Sequence, residues 1–578
     1  LKAIHCVLPI LVSLFLATGC NRSKPSAASP QSTGPTSATV SRQYHNELLT
    51  YAIDNLNRLE EFDSAGILEQ ILKNLNAQKN ESSHPDTLLA AWPQPEMLRQ
   101  IVDRLNQWIR VQPEPTDWQR DPMLAALPKP LAELPQVENL DRLEFTRFDG
   151  FALQETAWLR DIGLWTRGDA LDDLLRAQNL FDWTVRNIQL EPDAPGRIPL
   201  FPWETLLFGR GTETERAWVF ILLARQSGIE AAVLGLEEGG GRKAEGGGLT
   251  AESGKRKAEE VVSHPPSALR PPLSALRPWC VAVAIEGNAY LFDLRLGLPI
   301  PAPRGVTAGE NGRLVIQPAT LAQAASDEKV LRRMDADENH TYGVKASDLQ
   351  HVVVMLEASP TYLAKRMKLL ESQLTGPQKM ILAGSPSAQA EHWKSLAHVS
   401  EVRLWNQPFE TLQRRSHLEW KEVQIRLVAM LPFYVVPKAP LHRGRVLYLK
   451  GKFVGDDGAT HYYQSARPSN AELSASSVDP IEKMMYLRAK QDASYWLGLI
   501  AYQRANYPAA VDYFMTRTLL FMPNGPWTNG ARYNLARTYE VSGDVERAIL
   551  QYDVNADSPG YLGDLLRAKW LREAVDKR

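Results

Sequence analysis

The chain reads as a multidomain α+β protein, and three observations predict that class: its length, a change of hydrophobic period along it, and a helical repeat near its end. At 578 residues it is too long for one ordinary core. A prior of roughly 100–200 residues per domain gives three to five units. The composition is globular, with 44% hydrophobic and 23% charged residues. A net charge of -2 leaves no basic excess for a nucleic-acid partner. The 15 tryptophans suit helical packing or an apolar groove.

The stretch "LKAIHCVLPILVSLFLATGC" has Lys2 near its start and an apolar run from Val7 to Ala17, with small residues before Cys20. That run is too short for a mature membrane span and has the form of a secretory signal over residues 1–20. Its end, "LATGC", resembles a bacterial lipobox, which implies lipidation of Cys20 and an exported, membrane-anchored protein on the periplasmic face of the cell envelope. Each buried methylene of an acyl chain contributes about 0.8 kcal/mol of membrane affinity. Asn21 fits outer-membrane sorting by resemblance to lipoprotein rules. After removal of Cys6 and lipidation of Cys20, Cys280 is the one remaining cysteine, so no intrachain disulfide is expected.

Residues 21–42 are rich in Ser, Thr, Pro and Ala and read as a disordered tether. Residues 43–147 read as a helical region. Leu49, Ala52, Ile53, Leu56 and Leu59 form one apolar stripe; Leu98, Ile101, Val102, Leu105 and Trp108 form another. A further helix is read in "DDLLRAQNLFDWTVRNIQLEP", where Leu174, Ala177, Leu180, Phe181, Val185 and Ile188 recur at helical spacing before Pro192. Next comes a helix from Glu215 to Ser227, stopped by Gly228, and a strand in "EAAVLG".

Residues 237–278 are low-complexity, with RKAE and SALRP each present twice, and read as a disordered insert. "WCVAVAI" and "AYLFDLRLG" flank a Gly287-Asn288 turn and read as a hairpin. Residues 301–440 alternate strand and helix ("HVVVMLEA", "YLAKRMKLLESQL", "KMILAG", "HWKSLA") and read as a small α/β domain. Residues 441–578 end in two related helical pairs. Leu497-Gly498 matches Leu535-Ala536, while Ala510 and Phe514 match Ala548 and Tyr552. Small residues let helices approach and aromatics fill between pairs. This resembles the tetratricopeptide repeat, which implies an α-solenoid that binds a protein or peptide partner. The 38-residue offset exceeds the usual period of about 34, and the surplus is assigned to "NGPWTNG".

Three stretches within residues 148–300 resemble the transglutaminase-like domain, a papain-like thiol-enzyme fold: the helix "AQNLFDWTVRNIQ", the helix and strand "ERAWVFILLARQSGIEAAVLG", and the hairpin "RPWCVAVAIEGNAYLFDLRLG". The resemblance implies a cysteine at a helix N-terminus, activated by the helix dipole and a histidine, with an aspartate orienting the histidine. Transferred by position, the cysteine site is Glu213, the histidine site Arg277 and the aspartate site Asp293, with Ala217 and Arg225 on the small residue and arginine often found along that helix. One of three residue types survives. A glutamate does not supply a thiolate, and an arginine does not exchange protons near neutral pH.

No catalytic residue set is therefore expected, and the degenerate positions Glu213, Arg277 and Asp293 predict a non-catalytic binding or scaffolding protein. Glu213 is expected to pair with Arg277 across the old cleft. Cys280 reads as a buried structural cysteine, His264 falls in the insert, and Thr212 and Thr214 lack a candidate base. The alternative is an active enzyme, either a cysteine peptidase or transamidase, or a carboxylate-based amide hydrolase using Glu213 with Asp293. Its substrates would be envelope proteins or peptidoglycan peptides, which a non-catalytic domain could also bind without cutting. Walker, G-x-G-x-x-G, H-E-x-x-H and C-x-x-C patterns are missing, so no cofactor or metal is predicted.

Overall fold

The computed structural model describes residues 37–62, 65–76, 93–237, 276–309, 313–435, 439–474 and 479–576. The signal stretch, Cys20, His264 and nearly all of the low-complexity insert lie outside them. The fold is mixed α+β, with many helices around one six-stranded mixed sheet.

Helix α1 (Ser37–Leu56) takes in the last six residues read as tether. It packs on α3 (Glu96–Ile109), with α2 (Ala65–Asn76) between them in the chain. Ala52, Ile53, Leu98, Ile101 and Leu105 are fully buried, so the predicted stripes are the packed faces. Helix α3 in turn meets α4 (Arg147–Thr166). Gly150 marks the close approach, since a Cβ there would lie 2.9 Å from Val102 Cγ2. The start of α4 is a capping box between Thr146 and Asp149. Asp149 also holds Arg366 in a buried ion pair at 2.8 Å, which ties this helix to a segment more than two hundred residues on.

Helices α5 (Asp173–Asn187), α6 (Pro202–Phe208) and α7 (Glu213–Gln226) precede strand β1 (Glu230–Glu237). Gly228 turns the chain between α7 and β1 with φ +75°, a conformation that favours glycine. Strands β2 (Leu276–Ile285) and β3 (Asn288–Asp293) form the expected hairpin. Its turn is Glu286-Gly287, both at positive φ, one residue earlier than the sequence suggested. Phe292 meets Phe181 of α5 and Phe220 of α7 at 5.0 and 5.5 Å, which seats these two helices on one sheet face.

After β4 (Leu298–Pro299), strands β5 (Pro301–Ala308) and β6 (Leu314–Pro318) make a separate two-stranded ribbon. Strands β7 (Val352–Leu356) and β8 (Val399–Leu404) then rejoin the main sheet, whose order is β8-β7-β1-β2-β3-β4. Only β7 and β8 run parallel, joined by a crossover through α8 (Lys365–Gln373) and α9 (Pro386–Lys394). The α/β pattern read at 301–440 is therefore not a sheet of its own: Val233, Leu234 and Gly235 of β1 pair with Met355, Val354 and Val353 of β7. The reason lies in "VVVML", buried along its whole length. A strand apolar on both faces needs a neighbour on each side and cover above and below.

Helices α10 (Gln407–Ser416), α11 (Trp420–Tyr434) and α12 (Pro440–Leu449) lead to the tail. There α13 (Pro480–Gln503) pairs with α14 (Tyr507–Val511) and the π-helical turn 512–520, and α15 (Thr528–Val541) pairs with α16 (Val545–Asp553), followed by α17 (Tyr561–Val575). Ala510, Phe514, Ala548 and Tyr552 are all fully buried. A Cβ on Gly498 would sit 2.5 Å from Phe514 Cε1, so the small residue is sterically required. The surplus of the first pair is helical: its second helix runs to Leu520, whereas α16 stops at Asp553. "NGPWTNG" therefore does not hold the surplus alone.

The tail is packed on the rest of the chain. Asn534 Nδ2 donates to Arg186 O at 3.1 Å, Arg537 pairs with Asp182 at 2.7 Å, and Gly530 N donates to Gln189 Oε1 at 2.8 Å. Leu314 N donates to Glu540 Oε1 at 3.2 Å. The inner face of α15 is thus covered by the chain's own α+β part.

Candidate functional site

The start of α7 is fixed by a second capping box. Thr212 Oγ1 accepts from Glu215 N at 3.3 Å, and Glu215 Oε2 accepts from Thr212 N at 2.9 Å. Glu215 is 2% exposed and also holds Arg197, at 2.6 and 2.8 Å, and Leu200 N at 2.6 Å. Thr212 is therefore a cap and not a nucleophile. Glu213 is the first residue of the helix and half-buried. Further along, Ala217 is buried, and Arg225 forms an ion pair with Glu357, at the end of β7, while stacking 3.7 Å over Tyr362.

Asp293 closes β3 with 2% exposure. Its Oδ1 accepts from Leu296 N at 2.8 Å and its Oδ2 from the Tyr342 hydroxyl at 2.9 Å. Trp279 Nε1 donates to that same hydroxyl at 2.7 Å. Trp279, Tyr342 and Asp293 thus form one buried donor–acceptor chain. Cys280 is 5% exposed and next to the last hairpin pair, Val281–Phe292, which places it beside Asp293.

Burial sets the protonation of this cluster. Removal from water, then the Asp293 charge, push Glu213 up to about 7, against the pull of Arg295, Arg277 and Arg216. Burial raises Asp293 as well, opposed by Arg295 and by its hydrogen bonds. The Cys280 thiol is pushed well above its ordinary value by burial, by Asp293 and by Glu213. The Tyr342 hydroxyl is raised in the same way. No histidine is among the main charges acting on Glu213, Cys280 or Asp293.

The structure brings Glu213, Asp293 and Cys280 into one electrostatic neighbourhood and leaves Arg277 at its edge. Arg277 is exposed, and no ion pair within 4.0 Å joins it to Glu213 among the described residues, although its charge still acts on Glu213. A bulge lies beside Arg277: Leu234 of β1 pairs with Cys280 but Gly235 pairs with Pro278, so Trp279 is the extra residue. An extra residue changes which side chains face inward on either side of it. Tyr342 has no counterpart in the sequence reading. It lies 49 residues beyond Asp293 in an irregular loop, and no spacing signal points to it.

In this arrangement the Tyr342 hydroxyl is hydrogen-bonded to the Asp293 carboxyl group, and Glu213 is coupled to Asp293 through charge. It presents neither a thiolate nor an imidazole. Among the described residues no group of three or more His, Cys, Asp or Glu side chains could hold a metal ion. Four well-formed cavities of the described part are lined by residues other than Glu213, Cys280, Asp293 and Tyr342. No helix among the described residues is long and apolar enough to cross a membrane.

Fold and cluster together define a class: a mixed α+β protein with a buried carboxylate–phenol cluster at the junction of a helix N-terminus and a hairpin. No family model matches the chain, and neither a curated protein nor a solved structure matches it.

Proposed function

We propose that this chain is a non-catalytic, lipid-anchored envelope protein that binds or scaffolds other proteins, built on a degenerate transglutaminase-like core with a tetratricopeptide-like tail. The observation that carries the reading is the start of α7, where Glu213 stands at the helix N-terminus and the neighbouring thiol of Cys280 is buried among acidic groups that disfavour its anion. The order helix, strand, hairpin supports the core resemblance, and the Gly498–Phe514 contact supports the repeat resemblance. Fold likeness alone gives no activity. Envelope anchoring rests on the N-terminal stretch and its Cys20.

The test is an amide hydrolysis and amine-incorporation assay on the full chain, compared with Cys280→Ala and Glu213→Gln. No turnover above background is expected in any of the three. Turnover lost in Cys280→Ala overturns the reading in favour of a thiol enzyme.

One observation favours a second reading, a carboxylate-based amide hydrolase. Glu213 is raised to about 7 beside Asp293, and carboxyl pairs with displaced pKa values serve as acid and base. Turnover that survives Cys280→Ala but is lost in Glu213→Gln would select it.

A further inference from the structure

The largest of the four cavities lies away from this cluster, between α11 and α13, with a volume of about 690 Å³. That size is within the range of ligand sites, roughly 300–1,000 Å³. Its two rails are helical stripes. On α11, Ile425, Val428 and Pro432 recur at helical spacing; on α13, Met484 and Leu487 do the same. Ile425 is 56% exposed, Val428 42% and Met484 55%. Three methionines line the groove, a side chain that adapts its shape to a partner.

The charges are unequal. Arg197 pairs with Glu191 at 3.2 Å and Glu215 at 2.6 Å, Arg210 with Glu191 at 3.6 Å, and Arg488 with Asp492 at 3.1 Å. Glu422 is taken by Arg414. Every carboxylate of the lining therefore already has a guanidinium. Arg426 is left over: it donates from Nη2 to Ile198 O, its Nε is buried without a partner, and no carboxylate lies within 4.0 Å of it among the described residues. Burial pulls it down to about 10, opposed by the charges of Glu204 and Glu215 and aided by the like charges of Arg415 and Arg197. An incoming carboxylate would relieve both.

We infer that this groove docks an acidic amphipathic helix of a partner protein, its apolar stripe between Val428 and Met484 and a carboxylate on Arg426. Two exposed apolar rails on parallel stripes fit a helix laid lengthwise. The inference rests on the binding reading above and gives it a surface. It also moves the partner away from α15, whose inner face is already covered.

The experiment uses the full chain and a fluorescein-labelled peptide of about 18 residues, long enough to form a helix, made of Leu, Ala and Glu with one apolar face. A second peptide replaces each Glu with Lys. Anisotropy should show saturable binding of the acidic peptide, with affinity reduced about tenfold or more by Val428→Asp or Met484→Asp and severalfold by Arg426→Gln. The Lys peptide should bind at least about tenfold more weakly. Val428 and Met484 are exposed, so these two variants keep the fold even if Arg426→Gln does not. Absence of saturable binding, equal binding of both peptides, or no effect of Met484→Asp overturns the proposal. So does saturable oleate binding or Met484-dependent self-association in its place. None of those results produces amide turnover, so a failure here is distinct from a failure of the non-catalytic reading, which only Cys280- or Glu213-dependent turnover brings down.

Discussion

The cluster at the start of α7 and the groove between α11 and α13 are both built around charged side chains, yet they solve opposite problems. In the first, the two most buried carboxyl groups are answered from within. Glu215 has Arg197, Leu200 N and Thr212 N, and Asp293 has Tyr342 and Leu296 N. In the second, Arg426 keeps an unanswered Nε, and apolar side chains stand in solvent. A buried polar group without a partner costs roughly 1–3 kcal/mol. The closed cluster avoids that cost, whereas the groove leaves it for a ligand to relieve. The difference separates a region specialised for holding the fold from one available for binding.

The comparison breaks most visibly at Glu215. Glu215→Ala leaves Arg197 with only the more exposed Glu191, removes the Glu215 half of the α7 capping box, and should cost about 3–5 kcal/mol in urea unfolding. A loss below about 1 kcal/mol would mean that the start of α7 is not held as described. Tyr342→Phe comes next: it strands the Trp279 indole N–H and one Asp293 oxygen, with an expected loss of about 1–3 kcal/mol. Cavity terms are absent because the ring is kept.

Glu213 sharpens the contrast through pH. Its carboxyl is held up to about 7 in the fold, above its ordinary value of 4.5. Between these values the folded chain keeps a proton that the unfolded chain has lost, so stability falls as pH rises through this window and levels off above it. Glu213→Gln should remove that slope, and the variant should gain on the wild type from pH 5 to pH 8 in urea titrations. An unchanged slope would place Glu213 in water. The smallest effect is expected at the groove: Val428→Asp should change stability by no more than about 0.5 kcal/mol while removing peptide binding. A large loss of stability there would show that Val428 serves the core.

Local signals in the chain were legible where they concern neighbours in sequence. The Gly228 stop, the hairpin around Gly287 and the small-residue contact at Gly498 all involve residues that meet through one helix turn, one hairpin or adjacent helices. What was not legible depends on distant partners. The pairing of β7 with β1 joins segments over a hundred residues apart, and Tyr342 reaches Asp293 from a loop with no periodic pattern. The bulge at Trp279 lies between two strands that a long insert separates in the chain, so no spacing along either strand announces it. The groove was invisible for the same reason, since its rails come from helices that the chain separates by some fifty residues. The tryptophan-rich composition suited core packing or an apolar groove, and tryptophans such as Trp183, Trp496 and Trp527 are buried in the core.

Central to all of this is that the Cys280 thiol, in the electrostatic neighbourhood of Glu213 and Asp293, is a closed, neutral core group. Iodoacetamide labelling of the folded full chain, followed by mass spectrometry on the peptide that carries Cys280, tests it most directly. The account predicts negligible labelling at pH 7–8 until urea unfolds the chain, with a rate that then follows the unfolded fraction. Rapid stoichiometric labelling of the folded protein, with a pH midpoint below the ordinary thiol value of about 8.5, would contradict it.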